Sequence, residues 1–186
     1  AGLRVVACSN PEDAYWMIQQ AVACEDPVIF FEPKRRYHDR AEVDTAAASA
    51  PRGLFEAAVV RPGSDVTLVA YGPTVKTALE SAAAAQQEGT SIEVLDLRSL
   101  SPLPVDAIVE SVRRTGRLVV VHEASSFLGM AAEISAQVTE RCFYELEAPV
   151  VRVAGANIPY PPSRMEEEFL PDLDRILDGV DRALAH

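Results

Sequence analysis

From Gly63 to the end, the sequence keeps one alternation: a short apolar run that suits a strand, then a longer amphipathic or alanine-rich segment that suits a helix. "VTLVAYG" leads into "PTVKTALESAAAAQQEG", and "SIEVLDL" into "PVDAIVESVRRTG". "RLVVVHE" then precedes "GMAAEISAQVTERCF", and "PVVRVAG" precedes "PDLDRILDGVDRALA". Strands alternating with helices of this length cannot close into hairpins. They predict a layered α/β fold whose sheet is mostly parallel, with right-handed crossovers putting helices on both faces. Pro73 opens the first helix, and Gly89 and Gly116 stop the first and second. Met130, Ile134 and Val138 recur at a spacing of four and mark the buried face of the third.

The first 40 residues carry the same grammar in a smaller unit. "RVVACSNPEDAYWMIQQAVACEDPVIFFEP" reads as strand, helix and strand. Asn10 can cap the helix, Pro11 fits its first position, and Glu12 and Asp13 complement the positive end of its dipole. "PVIFF" is a continuous apolar run, as expected of a strand covered on both faces. The unit is too small to be a domain, and its abrupt start predicts that the numbering begins inside a larger protein. From Pro33 to Pro62 apolar periodicity weakens and charges, Ala, Ser, Pro and Gly take over. This texture predicts the end of one domain at 1–40, a linker at 41–62 and a second domain at 63–186. The Lys34, Arg35, Arg36, His38, Arg40 cluster lies close to Asp39, Glu42 and Asp44, so a solvated, partly paired segment is expected there.

Composition removes several classes of function. The chain has 186 residues, 48% of them hydrophobic, and a net charge of -11. So acidic a surface disfavours nucleic acid and suits either solubility or a basic protein partner. No apolar run approaches the roughly 20 residues that span a bilayer, and no secretion signal opens the chain. The three cysteines, Cys8, Cys24 and Cys142, are odd in number and share no metal-type spacing. A reducing compartment fits them best.

His122-Glu123 is the main chemical candidate, because strand ends in open α/β sheets face ligand crevices. The zinc-protease pattern needs a second His four residues on, where this chain has Ser126. Two readings remain: an acid–base pair, or a structural contact within the domain or across a subunit interface. "YGPTV" lacks the serine of a nucleophile elbow, and no GxGxxG or GK[ST] loop occurs. "GANIPYPPSRMEEEFLPD" reads as an ordered surface loop able to dock a partner or simply to wrap the domain. The residues alone therefore describe an α/β domain preceded by the last piece of another, without a complete catalytic constellation.

Several phrases together resemble one family. "SNPEDAYWMIQQAVACEDPVIFFEPKRRYH", "GSDVTLVAYGPTV", "IEVLDLRSLSPLPVDAIVESVRRTGRLVVVHEA", "GMAAEISAQV" and "LEAPVVRVAGANIPYPPSRMEEEFLPD" are similar to the beta subunit of the thiamine-diphosphate-dependent decarboxylating dehydrogenases of 2-oxo acid dehydrogenase complexes. "IFFEPK" and "HEA" favour the branched-chain enzyme over the pyruvate or acetoin type. The resemblance implies that residues 1–40 end a pyrimidine-binding domain and that 63–186 form a transketolase C-terminal domain. It implies a heterotetramer of two alpha and two beta subunits that decarboxylates a 2-oxo acid and passes the acyl group to the lipoyl arm of an acyltransferase core. Thiamine diphosphate and magnesium would be held by residues outside this chain, leaving this segment to support assembly. A pure assembly module without activity of its own is the competing reading. The implied partners are the alpha subunit, a second beta subunit and the subunit-binding domain of the core. The implied compartment is the bacterial cytoplasm, or the mitochondrial matrix in a eukaryote. A potassium site at Ala21, Cys24 and Asp26 is implied, with Cys24 and Asp26 standing where the family has Asp and Asn. The family's "HEA…GGFGAEI"-like turn is here reduced to Leu128-Gly129. That leaves His122, Glu123 and Gly129 as expected interface or structural residues, with Gly129 supplying a special backbone conformation or the turn differing locally.

Overall fold

The computed structural model describes residues 2–186. Two sheets organise it. A five-stranded sheet has the order β3-β5-β4-β7-β8, formed by Ala58–Arg61 (β3), Val66–Ala70 (β4), Ile92–Asp96 (β5), Leu118–Ser125 (β7) and Val151–Gly155 (β8). The β4–β5, β4–β7 and β7–β8 ladders are parallel and only β3 runs antiparallel. This is the mostly parallel α/β sheet expected from the alternation. Every residue of β4 and β5 is buried, as continuous apolar strands between two helical layers must be.

The layers follow from which side of each strand its residues take. Val66, Leu68 and Ala70 of β4 pack with Ala78 and Ala82 of α2 (Thr74–Gln87) and with Ile176 and Val180 of α6 (Leu173–Leu184). Val69, the alternate residue, packs on the opposite face with Ile108 of α3 (Val105–Thr115) and Ile134 of α4 (Met130–Cys142). The end signals act as read: Gly116 closes α3 in the left-handed conformation at φ 69°. The Asp172 carboxylate caps α6 by accepting from the Arg175 amide at 2.8 Å.

The small sheet holds two departures from the sequence reading. Its order is β2-β1-β6, with β1 (Arg4–Ala7) parallel to β2 (Val28–Phe31) and antiparallel to β6 (Ser99–Ser101). β6 comes from the second unit, so the sheet joins residues nearly a hundred positions apart. β2 is an edge strand, and its "VIFF" run is covered on one face only: Ile29 and Phe31 are exposed at 39% and 53%. The helix between β1 and β2, α1 (Pro11–Ala23), starts as expected, with Asn10 Oδ1 accepting from the Asp13 amide at 2.9 Å. The expected linker at 41–62 is irregular at first but ends in β3, which pairs with β5 through Ala58 and Val59. "AAVV" offers only two β-branched residues amid Ala, Pro and Gly, which is why its texture read as linker.

Candidate functional site

The chain leaves β4 to build β5 on one side and returns to build β7 on the other. The β4–β7 boundary is therefore the topological switch point where open α/β sheets form their crevice. Tyr71-Gly72-Pro73 leaves β4 there, and His122-Glu123 lies in the last half of β7. Two clefts meet at this place and share Pro73 and Glu123. One, of about 550 Å³, is lined by Arg35, Arg36, Glu80, Glu167 and Asp172 beside Glu123. The other, of about 410 Å³, is lined by Phe31, Tyr71 and Leu100.

His122 and Glu123 do not form an acid–base pair. Successive strand residues point to opposite faces, and here one side is core and the other is cleft. His122 is fully buried, stacked on Tyr71 with ring centroids 6.2 Å apart. Its Nδ1–H donates to the Ala124 carbonyl at 3.0 Å, and its Nε2 has no partner among the described residues. Burial pushes its pKa down, so the ring is neutral near pH 7. Glu123 is half-buried in the cleft wall, where burial pushes its pKa up against the pull of Arg35. Burial also lifts the Tyr71 phenol to about 12.

Gly129 sits over the His122 ring. Its φ of -74° and ψ of 165° are open to any residue, so no special backbone conformation requires glycine there. Space does: a Cβ would meet the Ser125 carbonyl oxygen and would lie 2.5 Å from His122 Cε1. The left-handed residue of this turn is its neighbour, Leu128, at φ 56°. Asn157 Oδ1 holds the turn in place by accepting from the Phe127 amide at 2.9 Å and the Ser126 hydroxyl at 3.1 Å. The proline-rich loop is exposed from Ala156 to Tyr160 and is anchored at its end, where Phe169 and Leu170 are buried. It contains the short helix α5 (Glu166–Phe169), and Arg175 donates to the Phe169, Leu170 and Ala154 carbonyls.

The three residues expected to hold potassium are engaged otherwise. The Ala21 carbonyl accepts from the Cys24 amide at 3.3 Å and closes α1. Cys24 is a free thiol packed against the small core. The Asp26 carboxylate is paired with Arg4, with contacts of 2.8 and 2.9 Å. With a guanidinium beside its only carboxylate, the set offers a cation no free side-chain carboxylate, only the backbone carbonyls through which the family is expected to bind potassium. Nor does the larger cleft fit the diphosphate of thiamine diphosphate: Glu80, Glu123, Glu167 and Asp172 outnumber Arg35 and Arg36 on its wall. No group of three His, Cys, Asp or Glu among the described residues could hold a metal ion such as magnesium.

A polar cluster that the sequence reading passed over joins the two sheets. Arg98, 2% exposed and at φ 56°, follows β5. Its guanidinium donates to Asp13 Oδ1 at 2.8 Å, to the Gly53 carbonyl at 2.9 Å and to the Glu56 carbonyl at 2.7 Å. Its own carbonyl accepts from the Ala7 amide at 2.9 Å. Asp96, fully buried, accepts from the Arg98 amide at 3.0 Å and lies 2.5 Å from the Ser9 hydroxyl. The available signal was "LDLRSL", two charged residues inside an otherwise apolar run.

Comparison with known proteins fits this architecture. Residues 56–176 match the family model of the transketolase C-terminal domain, and the chain belongs to that family. It is 52% identical over 186 residues to the pyruvate dehydrogenase E1 component subunit beta of Leifsonia xyli, covering 100% of this chain and 55% of the relative. It is 54% identical over 185 residues to the 3-methyl-2-oxobutanoate dehydrogenase subunit beta of Mycobacterium tuberculosis, covering 99% and 53%. A solved structure described as a split-gene transketolase, an inactive beta4 tetramer, superposes with a TM-score of 0.74 at 25% identity over 99% of this chain and 58% of its own. The chain thus spans about half the length of the curated relatives it matches. No helix among the described residues is long and apolar enough to cross a membrane.

Proposed function

We propose that this chain is the C-terminal portion of the beta subunit of a thiamine-diphosphate-dependent 2-oxo acid dehydrogenase, and that its own task is assembly rather than chemistry. The observation that carries this reading is 54% identity, sustained over 99% of the chain, to a relative named as such a beta subunit. The site supports the division of labour. The buried His122 and the cleft-facing Glu123 are separated by the strand, and neither has the geometry of a catalytic pair. On this reading residues 1–40 close a pyrimidine-binding domain, 41–62 connect it to the next, and 63–186 are the transketolase C-terminal domain. The exposed face of β2, with Ile29 and Phe31, is the seat of the rest of that first domain.

In the assembled enzyme, thiamine diphosphate with magnesium supplies the nucleophile and electron sink for decarboxylation of the 2-oxo acid. Those groups are held by residues outside this chain. The alpha subunit, a second beta subunit and the basic subunit-binding domain of an acyltransferase core are the partners. The net charge of -11 suits the last of these by electrostatic steering. The bacterial cytoplasm is the compartment we favour. A branched-chain substrate is our first reading. Pyruvate is the second, favoured by the comparable 52% identity to a pyruvate enzyme's subunit.

Reconstitution of the full-length beta subunit with its alpha subunit tests the proposal, with carbon dioxide release from 3-methyl-2-oxobutanoate and pyruvate as the readout. Preference for the branched acid is expected. Preference for pyruvate selects the second reading, and turnover of neither acid overturns both. Calorimetry on the isolated chain separates assembly from chemistry: no heat is expected with thiamine diphosphate and magnesium, and saturable binding would refute the domain assignment.

A further inference from the structure

The cluster between the two sheets contains a hydrogen that cannot serve all its contacts. Ser9 Oγ lies 2.5 Å from Asp96 Oδ2 and 3.4 Å from Asp13 Oδ2. A hydroxyl donates once. Asn10 Nδ2–H donates both to Ser9 Oγ at 3.1 Å and to Asp13 Oδ2 at 2.8 Å, so the amide cannot replace the missing donor toward Asp96. If both carboxylates are charged, the Ser9 hydrogen serves Asp96 and the longer contact to Asp13 Oδ2 carries none, although Asn10 still donates there. If Asp96 is protonated, every contact is satisfied at once. Asp96 O–H then donates to Ser9 Oγ, which also accepts from Asn10 and turns its own hydrogen to Asp13.

The surroundings place the proton on Asp96. Asp13 has the Arg98 guanidinium directly on its carboxylate, whereas Asp96 has only a hydroxyl and the Arg98 backbone amide. The other groups facing Asp96 do not compensate it. Its ladder neighbours, Ala58 in β3 and Ala70 in β4, are uncharged. The nearby Cys8 thiol stays neutral, pushed up to about 11 mainly by burial. With both acids ionised, the cavity would hold two carboxylates against one guanidinium, and burial makes that excess anion costly.

The partners divide between the two units. Ser9, Asn10 and Asp13 belong to the N-terminal unit, while Asp96 ends β5 of the large sheet and Arg98 follows it in the connection to β6. We propose that Ser9, Asp13, Asp96 and Arg98 form a proton-operated latch between the N-terminal unit and the C-terminal domain, closed when Asp96 is protonated and loosened when it ionises. Seating of α1 against the domain then depends on pH in the neutral range, so that orientation of the two units responds to proton activity. The direction follows from linkage. Burial raises the Asp96 pKa from its ordinary 3.8 to about 7. Between those values the closed state binds a proton that the opened, hydrated state releases. Closure is therefore strongest below the ordinary value and is lost as pH rises to about 7, beyond which it levels off.

The test is amide hydrogen exchange of α1 peptides in the full-length protein, corrected for the intrinsic pH dependence, from pH 5 to 9. In the wild type, opening of α1 relative to Asp96→Asn should rise by up to about tenfold per pH unit until about pH 7, and then flatten. Asp96→Asn keeps a donor toward Ser9 without a titrating proton, and its α1 opening should be flat over the same range. An infrared pH-difference spectrum of the wild type needs no variant. It should show a protonated carboxyl band that disappears around neutrality. An unchanged slope in Asp96→Asn, or the absence of that band, overturns the latch.

Discussion

Gly129→Ala isolates what the β7–α4 turn requires. The backbone at 129 is extended, so alanine brings no conformational strain. Its methyl would instead meet the Ser125 carbonyl and lie 2.5 and 2.9 Å from His122 Cε1 and Nε2. The ring has nowhere to go: it is fully buried, stacked on Tyr71 and tied to the Ala124 carbonyl. Overpacking of this kind costs about 1–3 kcal/mol, and loss of the Nδ1 hydrogen bond adds about 1 kcal/mol. Reduced freedom of the unfolded chain returns about 0.4–1 kcal/mol. The net is a destabilisation of roughly 1–3.5 kcal/mol, a drop in Tm of about 2–14 °C for a chain of this size. Differential scanning calorimetry measures it. The double substitution with His122→Ala should cost at least about 1 kcal/mol less than the sum of the singles, because the imidazole is half of the clash. A Gly129→Ala protein melting within about 1 °C of wild type would show that the turn relaxes freely and that this account of the glycine is wrong.

Two further outcomes test the same region. His122 is held neutral by burial, its folded pKa lying below the ordinary 6.5. The unfolded chain takes up a proton below that value when the folded one does not, so this histidine makes stability fall as pH drops below about 6.5. Urea midpoints at pH 7 and pH 5.5 should differ less in His122→Asn than in wild type, and an equal difference in both removes the histidine from the explanation. Leu128 adopts a left-handed conformation while 85% exposed, so Leu128→Gly relieves backbone strain and forfeits little burial. Strain of about 1–2 kcal/mol set against a glycine entropy cost of about 0.5–1 kcal/mol predicts a small rise in Tm, and a fall would mean that the side chain makes contacts worth more than the strain.

The large sheet was legible because its signals are local. β4, β5, β7 and β8 are apolar runs with turn residues between them, and the caps of α1 and α6 lie within a few residues of the helices they start. β3 was missed because "AAVV" follows a stretch without periodicity and pairs with a strand more than thirty residues on. β6, the short "SLS" segment, has no strand signature, and only pairing with β1 makes it one. Within this chain "VIFF" keeps one open face, the one assigned above to the rest of its domain. Hydrophobicity tells that a residue can be buried, but coverage depends on what lies beside it.

The site shows the same boundary between local and non-local information more sharply. Adjacent letters suggested that His122 and Glu123 act together, yet strand geometry sends neighbours apart: one into the core, the other into the cleft. Distant letters with no sign of a partnership, Asp13 and Arg98, meet at 2.8 Å. The apolar run around "LDLRSL" already posed a physical problem, since a carboxylate and a guanidinium there must be paired to be buried. The sequence could state that problem but not name the partner, because Asp13 lies 85 residues away on a helix of the other unit. Such pairs are where a two-unit chain can couple its parts. The β1–β6 ladder joins the units through backbone, and one buried guanidinium with donors to Asp13, Gly53 and Glu56 adds a side-chain requirement that few relative placements satisfy.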